Sequence, residues 1–129
     1  MIFDISATAL DLLANELPAD APIHMLNLLR FRVEGGREAY FQNYLPAFQA
    51  IVAEQGIMGI SPIWLGSVAG HVAAPTTESW DAVAIIRYPS LGAFRSLVES
   101  EAYRERAGPH RLAALADWRL IAQTELVLA

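Results

Sequence analysis

Apolar residues first recur at helical spacing between residues 8 and 17, which predicts a short amphipathic helix. Its apolar face consists of Leu10, Leu13, Ala14 and Leu17. Thr8 with Asp11 suits a capping box at the start of this helix, and Pro18 ends it. Residues 18–22 are rich in proline and predict a turn that separates the helix from the rest of the chain.

Four later stretches predict β-strands. Residues 24–32 are mostly apolar but too short for an independent helix, so they predict a largely buried strand. Residues 60–69 predict a second strand, with Pro62 near its start, where a missing backbone N–H is tolerated. Residues 80–88 predict the third strand, and the last strand is expected at about residues 117–126.

Two helical regions lie between these strands. Residues 37–55 carry an apolar stripe at helical spacing, but Pro46 lacks the N–H that a continuous helix needs, which predicts a kink or a break there. Ser90 predicts the N-cap of a second helix. The Gly-Pro step at 108–109 interrupts that helix, and residues 110–116 predict another helical turn or two.

After the N-terminal helix the predicted elements follow the order β-α-β-β-α-β, which is the ferredoxin-like arrangement with one antiparallel sheet. The sequence therefore predicts a single α+β domain over residues 1–129. Residues 1–20 would form a helical extension, and residues 22–126 would form the ferredoxin-like core.

Both faces of the predicted sheet carry apolar residues. In the third strand, one face carries Asp81, Val83, Ile85 and Arg87, and the other carries Ala82, Ala84, Ile86 and Tyr88. Since neither face is purely polar, we expect helices to cover one face and the sheet of a partner subunit to cover the other.

The composition points to self-association. Hydrophobic residues make up 54% of the 129-residue chain and charged residues only 18%, a more apolar balance than soluble domains usually have. This balance indicates that some apolar surface is covered, and a homodimer is the simplest way to cover it. The alternative is that alanine inflates the hydrophobic count without adding much apolar area.

Charge and residue types exclude several classes of function. The net charge of −5 argues against nucleic-acid binding, and the absence of cysteine excludes disulfides, thiolate metal sites and cysteine nucleophiles. The N-terminus lacks the basic start of a signal peptide, and no apolar run reaches the ~20 residues that a membrane span needs. We therefore expect a cytoplasmic protein without nucleic-acid or membrane partners.

Short motifs occur in and after the predicted strands: LNLLRF at 26–31, WD at 80–81 and RYPS at 87–90, then Phe94, Tyr103, His110 and Arg111. Together they resemble an uncharacterised bacterial family, a domain of unknown function in the dimeric α+β-barrel superfamily, over about residues 22–126. The resemblance implies a homodimer whose two sheets pack face to face into a barrel, with a ligand cleft between each sheet and its helices. Members of this superfamily include cofactor-free monooxygenases, lactone isomerases, haem proteins and ligand sensors, so the fold alone sets no chemistry.

Asn27 and Tyr44 are candidate ligand-binding residues. Asn27 lies within an otherwise apolar strand, so its amide either orients a ligand from the floor of the sheet or bonds a neighbouring loop or helix end. Tyr44, with Tyr40 and Phe48, either walls a pocket or belongs to the core.

Asp81 and Arg87 are candidate charged partners of a ligand. Six residues of strand separate them by roughly 20 Å, so they do not form one direct pair. Arg87 near the end of its strand can hold a carboxylate with its planar fork. The alternative is an ion pair with an acidic side chain of a helix or of the partner subunit.

His110 and Arg111 follow the Gly-Pro break and are candidates for catalysis and binding. A histidine can act as general base, and an arginine can stabilise an oxyanion. Adjacent helical residues diverge by about 100°, so we expect one of them to face the cleft and the other to face solvent or Asp117.

These residues support three hypotheses. The first is that a small organic molecule, aromatic or carboxylated, binds near Asn27, Tyr44, Arg87 and His110, with cofactor-free oxygenase or isomerase chemistry in which His110 is the base. The second is a non-catalytic binding or interaction protein. The third, haem binding, has the least support because the three histidines lack metal-ligand spacing, so no metal or cofactor is predicted.

Overall fold

A computed structural model describes residues 2–128 as a four-stranded antiparallel sheet with helices on one face. The strands are β1 (Ile23–Phe31), β2 (Ser61–Ser67), β3 (Ala82–Tyr88) and β4 (Leu115–Gln123), in the sheet order β2-β3-β1-β4. The helices are α1 (Ala7–Glu16), α2 (Gly36–Ala39), α3 (Leu45–Gln55), α4 (Leu91–Val98) and α5 (Gly108–Ala114). This order and pairing confirm the predicted α+β, ferredoxin-like fold. Within residues 2–128, none of the helices has the length and apolar character needed to cross a membrane.

The N-terminal helix α1 begins earlier than the sequence predicts. Ser6 has an extended backbone, and its hydroxyl accepts the backbone N–H of Ala9 at 3.1 Å, so Ser6 is the N-cap. The predicted capping box of Thr8 with Asp11 is therefore wrong, because both residues lie inside the helix. Asp11 instead pairs with Arg95 at 2.9 Å, which ties α1 to α4 of the same chain.

The two prolines predicted to interrupt helices each follow a π-helical turn, π1 (Tyr40–Tyr44) or π2 (Tyr103–Ala107). Pro46 and Pro109 then lie in the first turn of α3 and α5, and each helical run continues through its proline. The irregularity predicted at Pro46 is therefore a widened turn just before it, whereas the predicted break of the Ser90 helix at residues 108–109 is wrong, because α4 already ends at Val98.

The sheet has two different faces. The inner face packs on the helices and carries the core residues Ile23, Met25, Leu29, Phe31, Ala84, Tyr88 and Trp118. The opposite face is not covered by any described part of the chain. Its apolar members, called the outer patch below, are Leu26, Leu28, Trp64, Val83, Ile85 and Ile121. Trp64 is 60% exposed and Ile121 is 47% exposed, so a large apolar surface faces outward.

Candidate functional site

A cavity of about 250 Å³ lies between the inner face of the sheet and the helical run α2–π1–α3. We call it the aromatic cleft. Its helical wall contains Tyr40, Phe41, Tyr44 and Phe48, and its floor contains Asn27, Leu29, Ala82, Ala84 and Ile86. The small alanines on β3 leave the space that the rings on the helices do not fill.

The aromatic wall follows from helical spacing across π1. Tyr40, Tyr44 and Phe48 are four residues apart, which places them on one helical face. The rings of Tyr40 and Tyr44 stack at 5.2 Å between centroids, and the rings of Tyr44 and Phe48 are 6.1 Å apart. Tyr40 and Tyr44 are buried in the core and also line the cleft, so the core role and the pocket role of this stripe do not exclude each other.

Asn27 lies in the middle of β1 on the floor of the cleft. Its side-chain nitrogen donates hydrogen bonds to the carbonyl of Met25 at 3.1 Å and to the carbonyl of Ala84 at 3.3 Å. Among residues 2–128 its side-chain oxygen accepts no hydrogen bond. The amide nitrogen is therefore structural, and the amide oxygen is an acceptor available to a ligand.

Arg37 is the functional candidate that the sequence reasoning missed. It lines the cleft from the exposed start of α2, where its guanidinium lies 5.6 Å from the ring centroid of Phe31 and 5.5 Å from that of Phe41. Its spacing could have predicted this position, because Arg37 lies four residues before Phe41 and therefore near the aromatic wall on the helix.

The hydroxyl of Tyr44 begins a buried polar chain. It lies 2.8 Å from the hydroxyl of Tyr103, which accepts a hydrogen bond from a terminal nitrogen of Arg111 at 3.1 Å. Burial raises the pKa of Tyr44 well above its ordinary value, and the neighbouring Tyr103 and Tyr40 raise it further. Burial likewise raises the pKa of Tyr40 and of Tyr88. These phenols therefore remain protonated and do not act as bases.

His110 and Arg111 diverge as the helical geometry predicts. Arg111 is buried, with its guanidinium 4.4 Å from the ring centroid of Trp118, whereas His110 is exposed. Neither residue lines the aromatic cleft, because Arg111 faces a second cavity on the other side of Tyr103. The predicted placement of His110 beside Asn27 and Tyr44 is therefore wrong, because His110 lies on the exposed side of α5.

Asp81 and Arg87 also lie away from the cleft. The carboxylate of Asp81 accepts the backbone N–H of Phe31 at 2.9 Å, which fastens the end of β1. Arg87 pairs across the sheet with His24 and Ser61 and projects from the outer face. The alternation of β3 directs its even-numbered side chains to the helices, so the predicted placement of Arg87 beside Asn27 is wrong.

The histidines are dispersed in the part of the chain that the structure describes. His24 lies on the outer face of the sheet, and the ring nitrogen of His71 accepts the backbone N–H of Trp80 at 3.1 Å. Residues 2–128 contain no group of three His, Cys, Asp or Glu side chains placed to hold a metal ion. None of the described residues that line the aromatic cleft is a histidine, so the cleft offers no imidazole to a haem iron.

Comparison with solved structures finds a relative that covers nearly the full length of the chain. The RPA0582 protein of unknown function from Rhodopseudomonas palustris is 30% identical, with 98% of each chain covered and a TM-score of 0.80. No family model and no curated protein matches the sequence.

Two more distant structures share the fold alone. A protein of the ethyl tert-butyl ether D (EthD) family from Bacillus halodurans is 14% identical, over 81% of this chain and 99% of that chain, with a TM-score of 0.57. A dimeric protein of unknown function and ferredoxin-like fold from Bacteroides fragilis is 14% identical, over 79% of this chain and 94% of that chain, with a TM-score of 0.53. By its full-length similarity, the chain belongs to the same family as RPA0582 of Rhodopseudomonas palustris.

Proposed function

We propose that this protein is a homodimer that binds a small aromatic organic acid in the aromatic cleft of each subunit. The observation that carries the proposal is the cleft itself, a cavity of about 250 Å³ whose ring-lined walls include the polar side chains of Asn27 and Arg37. Ligand sites typically combine a mostly apolar lining with a few polar groups that fix orientation.

The lining defines the ligand class. The volume is slightly below the usual range of roughly 300–1,000 Å³ for ligand pockets, so the ligand is compact. Tyr40, Tyr44 and Phe48 favour a flat apolar body between them. Arg37 at the mouth suits a carboxylate, and the free oxygen of Asn27 on the floor suits a hydroxyl or amino hydrogen.

The same lining favours binding over acid-base catalysis. Among the described residues that line the cleft there is no histidine, aspartate or glutamate, and its buried tyrosines stay protonated. The cofactor-free oxygenase or isomerase chemistry considered from the sequence would need a base that these residues do not supply. The EthD-family neighbour does not change the preference for binding over catalysis, because at 14% identity it shares only the fold with this chain.

The homodimer is supported by the outer patch. Two copies of the chain packed sheet to sheet would bury the exposed Trp64 and the half-buried Leu26 and Ile85. The dimeric neighbour from Bacteroides fragilis has the same fold, and the low charged fraction of 18% fits a chain that hides apolar surface.

The role of Arg37 can be tested with a matched pair of ligands, 2-naphthoate and its methyl ester. We expect Arg37→Gln to weaken 2-naphthoate binding about tenfold, or ~1.4 kcal/mol, and to leave the ester unchanged, because only the acid carries the charge. Isothermal titration calorimetry measures both affinities. Arg106→Gln removes the same charge from a surface ion pair with Glu54 and is the control. Equal losses for acid and ester would contradict the carboxylate assignment.

The cleft can be filled from its floor. Ala84→Leu extends a side chain into the cavity, so we expect it to lower the affinity for both naphthyl ligands by at least about a hundredfold. Ala113→Leu makes the same change on the exposed surface of α5 and is expected to bind like the unchanged protein. If Ala84→Leu folds and retains full affinity, the ligands bind elsewhere and the proposed function fails.

A further inference from the structure

A second cavity, of about 500 Å³, lies between the N-terminal segment, α4, π2 and α5. It is separate from the aromatic cleft, since the two share no lining residue. Apolar side chains including Leu10, Val98 and Leu112 line it, and its deepest charged group is Arg111. The fold places Arg111 against the ring of Trp118 and on the hydroxyl of Tyr103, and neither group supplies a negative charge.

The charge of Arg111 is incompletely paired. Its side chain is only 7% exposed, and its Nε is buried without a hydrogen-bond partner among residues 2–128. One terminal nitrogen donates to the hydroxyl of Tyr103 at 3.1 Å. The other lies 3.5 Å from the carboxylate of Asp4, whose side chain is 88% exposed. Buried guanidinium groups are normally held by a close, bidentate acceptor, and Asp4 does not provide one.

Asp4 is a mostly solvated counter-ion of Arg111. It belongs to the segment before α1, which is fastened where the indole N–H of Trp118 donates to the carbonyl of Phe3. The carboxylate of Asp4 therefore reaches Arg111 from a mostly solvated position at the edge of the cavity. A carboxylate that approached from within the cavity could replace Asp4 without breaking the Trp118–Phe3 bond.

We propose that this second cavity binds an organic monocarboxylate. Its head group takes the place of Asp4 on Arg111, and its apolar chain lies against Leu10, Val98 and Leu112. Arg104 and Glu99 on the cavity wall are exposed and carry opposite charges, so the single buried charge of Arg111 favours a singly charged acid with an apolar body.

The test uses hexanoate, with hexanol as its uncharged control, and follows the Nε–Hε signal of Arg111 by NMR. We expect hexanoate to shift this signal saturably and hexanol to leave it unmoved.

Asp4→Asn removes the competing carboxylate, so it should tighten hexanoate binding about tenfold. Arg111→Gln should abolish binding. Ala84→Leu, which fills the aromatic cleft, should leave hexanoate binding unchanged, so failure at one cavity is distinguishable from failure at the other.

The Asp4→Asn protein decides the proposal even if Arg111→Gln fails to fold. Asp4 is exposed, so its replacement leaves the core intact. A folded Asp4→Asn protein whose Arg111 signal shows no saturable response to hexanoate would overturn the proposal. An equal response to hexanol would also overturn it, because the cavity would then bind chains without using the charge of Arg111.

Discussion

An Ile85→Asp variant is expected to be monomeric at concentrations where the unchanged protein is a dimer. Ile85 lies in the middle of the outer patch and pairs across the sheet with Leu26 and Trp64. In a symmetric sheet-to-sheet dimer, each copy of the substitution would bury a carboxylate against apolar side chains without a partner, at a cost of several kcal/mol. We expect the dissociation constant to rise at least about a thousandfold, or ~4 kcal/mol.

Sedimentation velocity measures this change directly, because the monomer has a mass of 14.1 kDa and the dimer twice that mass. Val72→Asp is the matched control, since it adds the same charge at a fully exposed loop position. Circular dichroism establishes that both variants are folded. A folded Ile85→Asp protein that remained dimeric would show that the outer patch is not the dimer interface.

Alkaline conditions are expected to unfold the protein steeply above pH 10. Burial raises the pKa of Tyr40, Tyr44 and Tyr88 in the folded chain above their ordinary value of about 10. The stabilising effect is complete below pH 10 and is lost as the pH rises, because the unfolded chain releases these protons and the folded chain retains them. Each tyrosine contributes about 1.4 kcal/mol per pH unit, so the three lower the free energy of unfolding by about 4 kcal/mol per unit.

The composition of the chain simplifies the interpretation of unfolding at alkaline pH. All nine residues counted as Lys or Arg are arginines, so no lysine titrates in the same pH range. Urea unfolding between pH 9 and 12 gives the slope, and Tyr88→Phe should reduce it by about a third. Absorbance at 295 nm reports phenolate formation. Ionisation of all the tyrosines near pH 10, while circular dichroism still shows a folded protein, would contradict the buried state of these phenols.

The fold was predictable because its signals are local. The alternation of β3 assigned Ala82, Ala84, Ile86 and Tyr88 to one face, and the structure places these residues on the helical side. The same pattern indicated an apolar second face, which the outer patch confirms. The order of the predicted elements indicated a ferredoxin-like arrangement with one antiparallel sheet, which the structure confirms.

The polar residues of the site were harder to predict, because their placement depends on rotations that spacing alone does not reveal. The spacing of His110 and Arg111 on α5 indicated that they diverge but not which of the two is buried, and the structure buries Arg111 and exposes His110. The prediction that Arg87 lies in the cleft was wrong for a simpler reason. The alternation of the strand already put Arg87 on the face opposite Ala84, away from the helices.

We propose that the aromatic cleft holds a small aromatic acid. Intermolecular nuclear Overhauser effects between bound 2-naphthoate and the protein test this proposal most directly. We expect contacts from the naphthyl protons to the methyl of Ala84 and to the ring of Phe48, which line the sheet and helix sides of the cleft. Contacts confined to Leu26 and Ile85 of the outer patch, or the absence of any contact at saturating ligand, would contradict it.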